Sequence, residues 1–227
     1  MKLKMIKMFE LSPEVKAAII DLRYLLNRGY SRETALNFVS NHYRFSLAAR
    51  HLLARCVFSA EESTFNSAKK FQKSRVKGKK LGVDGYNVLI TVESILGGRT
   101  VAKCDDGFIR DVSAVFGKYK FSPLTTTAID LIVDNVLRAK PAEVFFLFDK
   151  QVSRSGELAG KIRDKLNALS LRGDARTVPE VDLELRKFEV VASSDRAVIR
   201  MAEAVWDIPA EILKLRGTSF LDIKKIR

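Results

Sequence analysis

The spacing of apolar residues changes about one third of the way along the chain. Before that point, apolar side chains recur every three or four residues, as between Val15 and Leu26, which is the spacing of an amphipathic helix. A serine suited to the N-cap position precedes each of four such runs: Ser12, Ser31, Ser46 and Ser59. The pattern predicts a small all-α domain, which we assign to residues 1–75.

After residue 80 the pattern alternates between short, continuous apolar runs and amphipathic segments. The runs KLGVD, AEVFFLFD and FEVVASSD end at acids: Asp84, Asp149 and Asp195. The segments 125–140 and 155–169 have helical periodicity and lie between these runs. Such alternation predicts an α/β fold in which helices flank a parallel sheet, and we assign this fold to residues 76–227.

Three further segments give weaker patterns. The β-rich stretch from Arg99 to Lys120 predicts a hairpin inserted at the edge of the sheet, with Asp105-Asp106-Gly107 as its turn. The stretch ARTVPEVD predicts a short strand that ends at Asp182, followed by a helix from Leu183 to Lys187. The apolar spacing from Val198 to Val205 predicts the last helix.

Positive charge is concentrated in the first third of the chain. Residues 1–80 contain 17 basic and 6 acidic residues, a net charge of +11, whereas residues 81–227 contain 23 and 21, a net charge of +2. A field of this kind attracts polyanions, chiefly nucleic acid. The densest part is KKFQKSRVKGKK, whose basic residues are candidate phosphate contacts: Lys69, Lys70, Lys73, Arg75, Lys77, Lys79 and Lys80. The alternative for this run is a solvated linker.

The helical region allows two interpretations. The interval from Ala35 to Phe45 suits a helix-turn-helix, a motif that reads the major groove of DNA. A plain helical bundle fits the same pattern, because the turn contains no glycine.

The composition restricts the compartment and the metal chemistry. No apolar run approaches the ~20 residues that a membrane span needs, and the basic start contains no signal-peptide core, so we expect a cytoplasmic protein without membrane contact. Cys56 and Cys104 match no metal-binding spacing and are expected to be buried thiols. With only two histidines, a bound metal would need oxygen ligands, which favours Mg²⁺ or Mn²⁺.

Acidic side chains follow four of the predicted strands. Asp84, Asp149 and Asp195 directly follow apolar runs, and Asp182 follows a weaker one. Because the carboxyl ends of parallel strands meet at one edge of a sheet, these side chains are expected to share a crevice. Carboxylates brought together repel each other unless a cation neutralises them, so the pattern predicts a Mg²⁺ or Mn²⁺ site. Each aspartate taken alone is equally well explained as a turn former or an N-cap.

Other polar residues support this hypothesis. Asn87 is placed either to hold a water or a scissile phosphate or to stabilise its own turn. Ser194 and Arg196 are candidate phosphate contacts, although Arg196 could also face a carboxylate. Ser155 is the expected cap of a helix whose first amides would favour an anion. Glu93 is expected on the surface of a helix that flanks the sheet, although it or an acid of the hairpin could instead complete the metal site.

The stretches VDGYNVL, FFLFD and VVASSDRAVI resemble the three signature strands of the NYN/YacP-like branch of the PIN-fold nucleases. The similarity spans roughly Lys80 to Trp206, and the whole chain is similar to an archaeal family in which a basic helical region precedes such a domain. The resemblance implies a PIN-like (Rossmannoid) fold and an Mg²⁺- or Mn²⁺-dependent nuclease acting on single strands. It also implies that Asp84, Asp149 and Asp195 bind the metal, with Asp182 as a further acid.

Three functions therefore compete. The first is a metal-dependent nuclease that hydrolyses single-stranded RNA or DNA, with the sugar and the exo- or endonucleolytic mode left open. The second is a non-catalytic nucleic-acid-binding module that uses the basic helical region. The third is a phosphatase or nucleotide-binding domain with Asp149 as its nucleophile, against which the absence of a Gly-rich phosphate loop counts. The sequence leaves a homo-oligomer open.

Overall fold

The computed structural model describes residues 11–112 and 119–226. Four helices come first, and mixed helices and strands follow. In chain order the elements are α1 Pro13–Asn27, α2 Arg32–His42, α3 Leu47–Cys56, α4 Ala60–Ala68, β1 Lys80–Asp84, α5 Gly85–Leu96, β2 Val101–Lys103, β3 Ile109–Asp111, α6 Thr125–Ala139, β4 Glu143–Asp149, α7 Ser155–Ala168, β5 Gly173–Val178, α8 Val181–Leu185, β6 Val190–Ala192, α9 Arg196–Met201, α10 Ile208–Arg216 and β7 Leu221–Asp222.

The four predicted N-terminal helices are confirmed. The hydroxyls of Ser12, Ser31 and Ser59 accept hydrogen bonds from backbone amides in the first turns of α1, α2 and α4. Ser46 occupies the N-cap position of α3 without such a bond. The caps satisfy amide groups that the helix itself leaves free, which explains why serine marks the helix starts.

The α/β part contains the predicted parallel sheet, with four strands in the order β5-β4-β1-β6. All neighbours in this sheet are parallel, and Asp84 at the end of β1 is paired with Leu147 of β4. From β1, the strands β4 and β5 are added on one side of the sheet, and β6 is added on the other side of β1. The order of the strands therefore reverses between β1 and β6. In such sheets the ligand crevice lies outside the carboxyl ends of the strands at this reversal point.

Helices cover the sheet on both faces. On β4, Phe146 and Phe148 pack in the core that contains α5, α6, α7 and α10, while Leu147 packs with α8 and α9 on the opposite face. Both faces of β4 are therefore buried, which explains the continuous apolar sequence of this strand.

The hairpin exists, but its expected place at the edge of the main sheet is wrong. Strands β2 and β3 pair antiparallel, and β2 also pairs in parallel with β7 to form a separate three-stranded sheet. Ala102 and Cys104 of the hairpin are buried in one core with α1 to α3, so the apolar face of the hairpin packs against the helical region. The predicted turn is confirmed, with Gly107 at a φ of 80°. Cys104 and Cys56 are buried free thiols, as expected.

Strand β5 ends earlier than the sequence pattern predicts. The strand stops at Val178, directly before Pro179, which cannot donate a ladder hydrogen bond. Asp182 therefore lies in the first turn of α8, which spans Val181–Leu185 rather than 183–187.

Two other predicted helix boundaries differ from the structure. Arg154, in the left-handed region at a φ of 65°, is the N-cap of α7, and Ser155 is its first helical residue. Helix α9 ends at Met201, because the chain turns back so that Val205 bridges Val191 of β6 and Lys70. Within the described ranges, no helix has the length and apolarity needed to cross a membrane.

Candidate active site

A cavity of about 430 Å³ lies at the carboxyl ends of β1, β4 and β5. It brings together all four predicted acids and Asn87. Its lining residues are Arg55, Asp84, Tyr86, Asn87, Asp149, Pro179, Glu180, Val181, Asp182 and Asp195. Because β1 and β6 flank the reversal point of the sheet, this position is the one that the strand order favours for a ligand.

Asp84 is the most buried acid in this cavity. It ends β1 and caps α5, where its Oδ1 accepts a hydrogen bond from the Asn87 amide at 3.3 Å. The Ser193 hydroxyl donates to its Oδ2 at 2.8 Å. Burial raises the pKa of Asp84 to about 7; the Ser193 hydrogen bond opposes this rise and the negative charge of Asp195 adds to it. The cavity thus holds a carboxyl group that titrates near neutral pH.

Asp149 and Asp195 each use one oxygen locally. The Oδ1 atom of Asp149 accepts from the Gln151 amide at 2.8 Å, and that of Asp195 accepts from the Ala197 amide at 2.7 Å as the cap of α9. Within the described residues, the second oxygen of each has no hydrogen-bond partner. Asp149 and Asp195 therefore stabilise their local turns and also share the crevice, and each keeps one carboxylate oxygen without a described partner.

Asp182 lies at the rim of the cavity and is exposed. Partial burial of its carboxyl group raises its pKa, the charge of Asp195 raises it further, and Arg186 lowers it. Asp195 thus interacts electrostatically with both Asp84 and Asp182.

Asn87 stabilises the turn between β6 and α9. Its Oδ1 accepts hydrogen bonds from the amide and the hydroxyl of Ser194, at 2.8 and 2.9 Å. The Ser194 carbonyl in turn accepts from Nε of Arg110 at 2.6 Å. Ser194 is buried by these contacts, so its hydroxyl points to Asn87.

A buried ion pair connects this turn to the helical region. Arg110 of β3 donates to both oxygens of Asp106 at 2.7 Å, and Nδ2 of Asn66 in α4 donates to Asp106 at 3.1 Å. All three side chains are buried. The three-stranded sheet β3-β2-β7, called the small sheet below, therefore connects the helical region to the turn that precedes Asp195.

Three polar residues of the cavity were missed by the sequence analysis. Arg55 comes from α3, and no local pattern connects it to strands more than 25 residues away. Tyr86 lies inside the stretch VDGYNVL, and its hydroxyl is buried without a hydrogen-bond partner among the described residues. Burial, and then the charge of Asp149, raises the pKa of Tyr86 to about 12. Glu180 occupies the N-cap position of α8. Its place in the cavity follows from the end of β5 at Val178, which the sequence pattern did not predict.

The first predicted basic residues contact the rest of the chain. Lys69 donates to the carbonyls of Ile199 and Arg200 at the end of α9, at 2.9 and 2.6 Å. Lys70 pairs with buried Asp207 at 3.2 Å. Lys73 donates to Asn135 at 3.3 Å. None of these lysines lines the cavity.

The remaining basic residues of this run lie elsewhere. Arg75 stacks on the Phe71 ring, with 4.7 Å between the guanidinium carbon and the ring centroid. Lys79 and Lys80, at the start of β1, lie at the edge of the sheet opposite to Asp84 and pair with Glu189 and Glu143. Lys77 is exposed.

Arg196, Ser155 and Glu93 have distinct surroundings. Arg196 forms an ion pair with Glu62 of α4 and lines an open pocket of about 580 Å³ that shares Asp195 with the cavity. Ser155 is buried at the start of α7 and lines neither. Glu93 is buried rather than on the surface, and it accepts hydrogen bonds from Tyr119 and Ser122, away from the cavity.

The donor chemistry of the cavity fits a hard divalent cation. Its acids and Asn87 supply the oxygen atoms that Mg²⁺ prefers. In the part of the chain that the structure describes, no three such side chains lie close enough to ligate one ion together. Mg²⁺ does not require three protein carboxylates, because it keeps several waters and binds through one or two carboxylates and substrate phosphates. Asp84 with Asp149 or Asp195 would hold it.

Comparisons with known proteins give family matches. Residues 73–211 match the family model described as "Domain of unknown function (DUF5616)", and residues 14–69 match the model described as "Protein of unknown function (DUF434)". The chain is similar to "Uncharacterized protein MJ0935" of Methanocaldococcus jannaschii, with 38% identity over 202 residues, which cover 88% of this chain and 97% of the relative. No solved structure gives a significant match.

Proposed function

The chain belongs to the DUF5616 family, and we propose that it is a divalent-metal-dependent nuclease that hydrolyses phosphodiester bonds of single-stranded RNA or DNA. One observation carries this proposal: Asp84, Asp149, Asp182 and Asp195 line a single cavity at the reversal point of a parallel sheet. The resemblance of VDGYNVL, FFLFD and VVASSDRAVI to the NYN/YacP-like branch supports the same activity and a PIN-like identity for the fold.

The charge balance of the cavity supports a metal cofactor. Five acids and one arginine line it, and the burial of Asp84 makes its ionised form costly. A phosphodiester would meet net repulsion there unless a cation were bound. A bound Mg²⁺ or Mn²⁺ supplies charge stabilisation at the phosphate and lowers the pKa of the attacking water.

The residues of the chain orient the acids. The Ser193 hydroxyl donates to Asp84 and accepts from the Asp195 amide, at 2.8 and 3.0 Å, so that one side chain fixes both acids. Asn87 holds the turn before Asp195 through Ser194. Tyr86 also lines the cavity, and its buried hydroxyl has no partner among the described residues.

The surroundings of the cavity favour a single strand. The neighbouring open pocket shares Asp195 and adds Arg196 and Arg200. An extended strand can follow such a basic surface from the cavity by its phosphates.

A non-catalytic nucleic-acid-binding module is the second candidate, because residues 1–80 have a net charge of +11. This candidate predicts binding without metal-dependent turnover. It accounts for the charge asymmetry but gives no role to the four acids in the cavity.

The two candidates are separated by incubating end-labelled single-stranded RNA, single-stranded DNA and duplexes with the full chain in Mg²⁺, Mn²⁺ or EDTA. The nuclease predicts products from single strands that appear with metal and disappear with EDTA. Tight binding with intact strands under every condition would support the binding module instead.

A further inference from the structure

Among the described residues, the single basic one that lines the cavity comes from the helical region. Arg55 belongs to the last turn of α3, while every other lining residue belongs to the α/β part. Helix α3 is fixed by Leu52, Leu53 and Cys56, which are buried in the core shared with the small sheet. Packing of these neighbours therefore fixes the backbone from which the Arg55 side chain extends.

The guanidinium group of Arg55 has no partner within the described residues. Its Nε is buried and makes no hydrogen bond, and no carboxylate lies within ion-pair distance of the group. Three other part-buried arginines of the helical region do have partners: Arg23 donates to Asp105, Arg32 to the Val57 carbonyl and Arg50 to the Phe45 carbonyl. A buried donor without an acceptor is costly, and in native proteins such a group commonly binds an ordered water or an ion.

The surroundings indicate which partner would fit. Arg55 shares the cavity with five acids but pairs with none of them, so its donors remain available to an incoming group. A guanidinium presents a planar fork of N–H donors that matches the oxygens of a phosphate. A phosphate in the cavity would supply acceptors to the terminal amino groups of Arg55, which have no partner among the described residues either.

We propose that Arg55 binds a phosphate oxygen of the nucleic-acid substrate, so that the helical region completes the active site. The inference rests on the proposed function, because it takes the phosphodiester substrate from it. It predicts that the helical region contributes to catalysis through a specific contact and not only through its overall positive charge.

The test measures substrate affinity separately from cleavage, in the full chain. Affinity for a fluorescent single-stranded oligonucleotide is measured by anisotropy with Ca²⁺, and a gel checks that the strand stays intact. Cleavage with Mg²⁺ gives kcat and KM. The variants are Arg55→Ala and Arg55→Lys. The control is Arg172→Ala, since Arg172 lies just before β5 at the opposite end of the strands and its exposed side chain has no described partner.

We expect Arg55→Ala to lose affinity and kcat/KM by on the order of 10- to 100-fold, as for a hydrogen bond to a charged group. Arg55→Lys keeps the charge and should recover part of the loss, whereas Arg172→Ala should match the wild type. Added guanidinium ion should partly restore cleavage by Arg55→Ala, an effect that a packing defect would not produce. If Arg55→Ala fails to fold, Arg55→Lys and Arg55→Gln provide the same comparison.

These measurements distinguish failure of the nuclease proposal from failure of the proposed phosphate contact of Arg55. If the wild type cleaves and Arg55→Ala binds and cleaves equally well, the phosphate contact is overturned and the nuclease stands. If the wild type never cleaves but Arg55→Ala loses affinity, the contact stands and the nuclease is overturned. A wild type that neither binds nor cleaves overturns both.

Discussion

Asp84 combines two properties at the scale of a single residue. It is buried at the end of β1, and it faces a cavity that contains four other acids. Burial favours the neutral carboxyl group, while a bound cation favours the ionised one. Its protonation therefore links the stability of the metal-free protein to pH.

The metal-free protein should lose stability as the pH rises from about 4 to about 7. The pKa of Asp84 is raised from 3.8 in the unfolded chain to about 7 in the folded chain, so the folded state binds the extra proton in this window. This contribution is fully present below pH 3.8 and is lost as the pH passes 7. Asp84→Asn, which carries no charge, should remove it.

This dependence can be measured by urea unfolding in EDTA at several pH values, with fluorescence of the single tryptophan, Trp206, as the signal. We expect the difference between variant and wild type to increase with pH in favour of Asp84→Asn. Parallel stability profiles for the two proteins would show that Asp84 does not titrate in this range.

At the scale of elements, the site depends on how strands change into helices. Strand β1 passes directly into α5 at Gly85, and a Cβ atom there would lie 2.3 Å from the Phe148 ring. The missing side chain allows α5 to pack against β4. The same close approach places Asp84 at the N-cap of α5.

Gly85→Ala should destabilise the fold by about 1–3 kcal/mol, because the Phe148 ring is buried and has to move. Gly160→Ala is the matched control, since nothing lies within 4 Å of its added Cβ atom on α7. The control should be neutral or more stable by about 0.5–1 kcal/mol. Urea unfolding of both variants measures the difference, and equal stability of the two would contradict this explanation.

The β6–α9 turn depends on Arg110 of the small sheet. Arg110→Met would leave Asp106 buried without its cation, and should cost about 3–5 kcal/mol. Adding Asp106→Leu should recover much of that stability, because the buried charge is then absent.

The double variant should nevertheless cleave more slowly than the wild type, since the Ser194 carbonyl loses its donor. Stability and cleavage rate are measured on the same samples. Full activity in a stable double variant would show that Arg110 has only a structural role.

Local sequence patterns predicted the strands that lead to Asp84, Asp149 and Asp195, although β6 ends at Ala192, three residues before its acid, whereas β1 and β4 end at theirs. They failed at β5, where Val181 follows Pro179 into a helix instead of continuing the strand. Short elements of this kind are determined by tertiary packing more than by intrinsic propensity.

At the scale of the whole molecule, the helical region and the small sheet share one core. This arrangement could not be predicted from sequence, because β2 pairs with the two-residue strand β7, which lies more than 100 residues further along the chain. The position of Arg55 in the cavity depends on that packing. Asp84, Asp149 and Asp195 were predictable from local pattern, whereas Asp182 enters the cavity from α8 instead of a strand end and Arg55 was not predicted.

We propose that the acids of this cavity form the active site of a metal-dependent nuclease. The most direct test compares cleavage of a labelled single strand by the wild type, Asp84→Asn and Asp164→Asn, in Mg²⁺ and in EDTA. Asp164 is an exposed acid on α7 outside the cavity. We expect Asp84→Asn to lose activity by on the order of 100-fold or more, while Asp164→Asn matches the wild type and EDTA abolishes cleavage. Equal metal-dependent cleavage by all three proteins would contradict the claim.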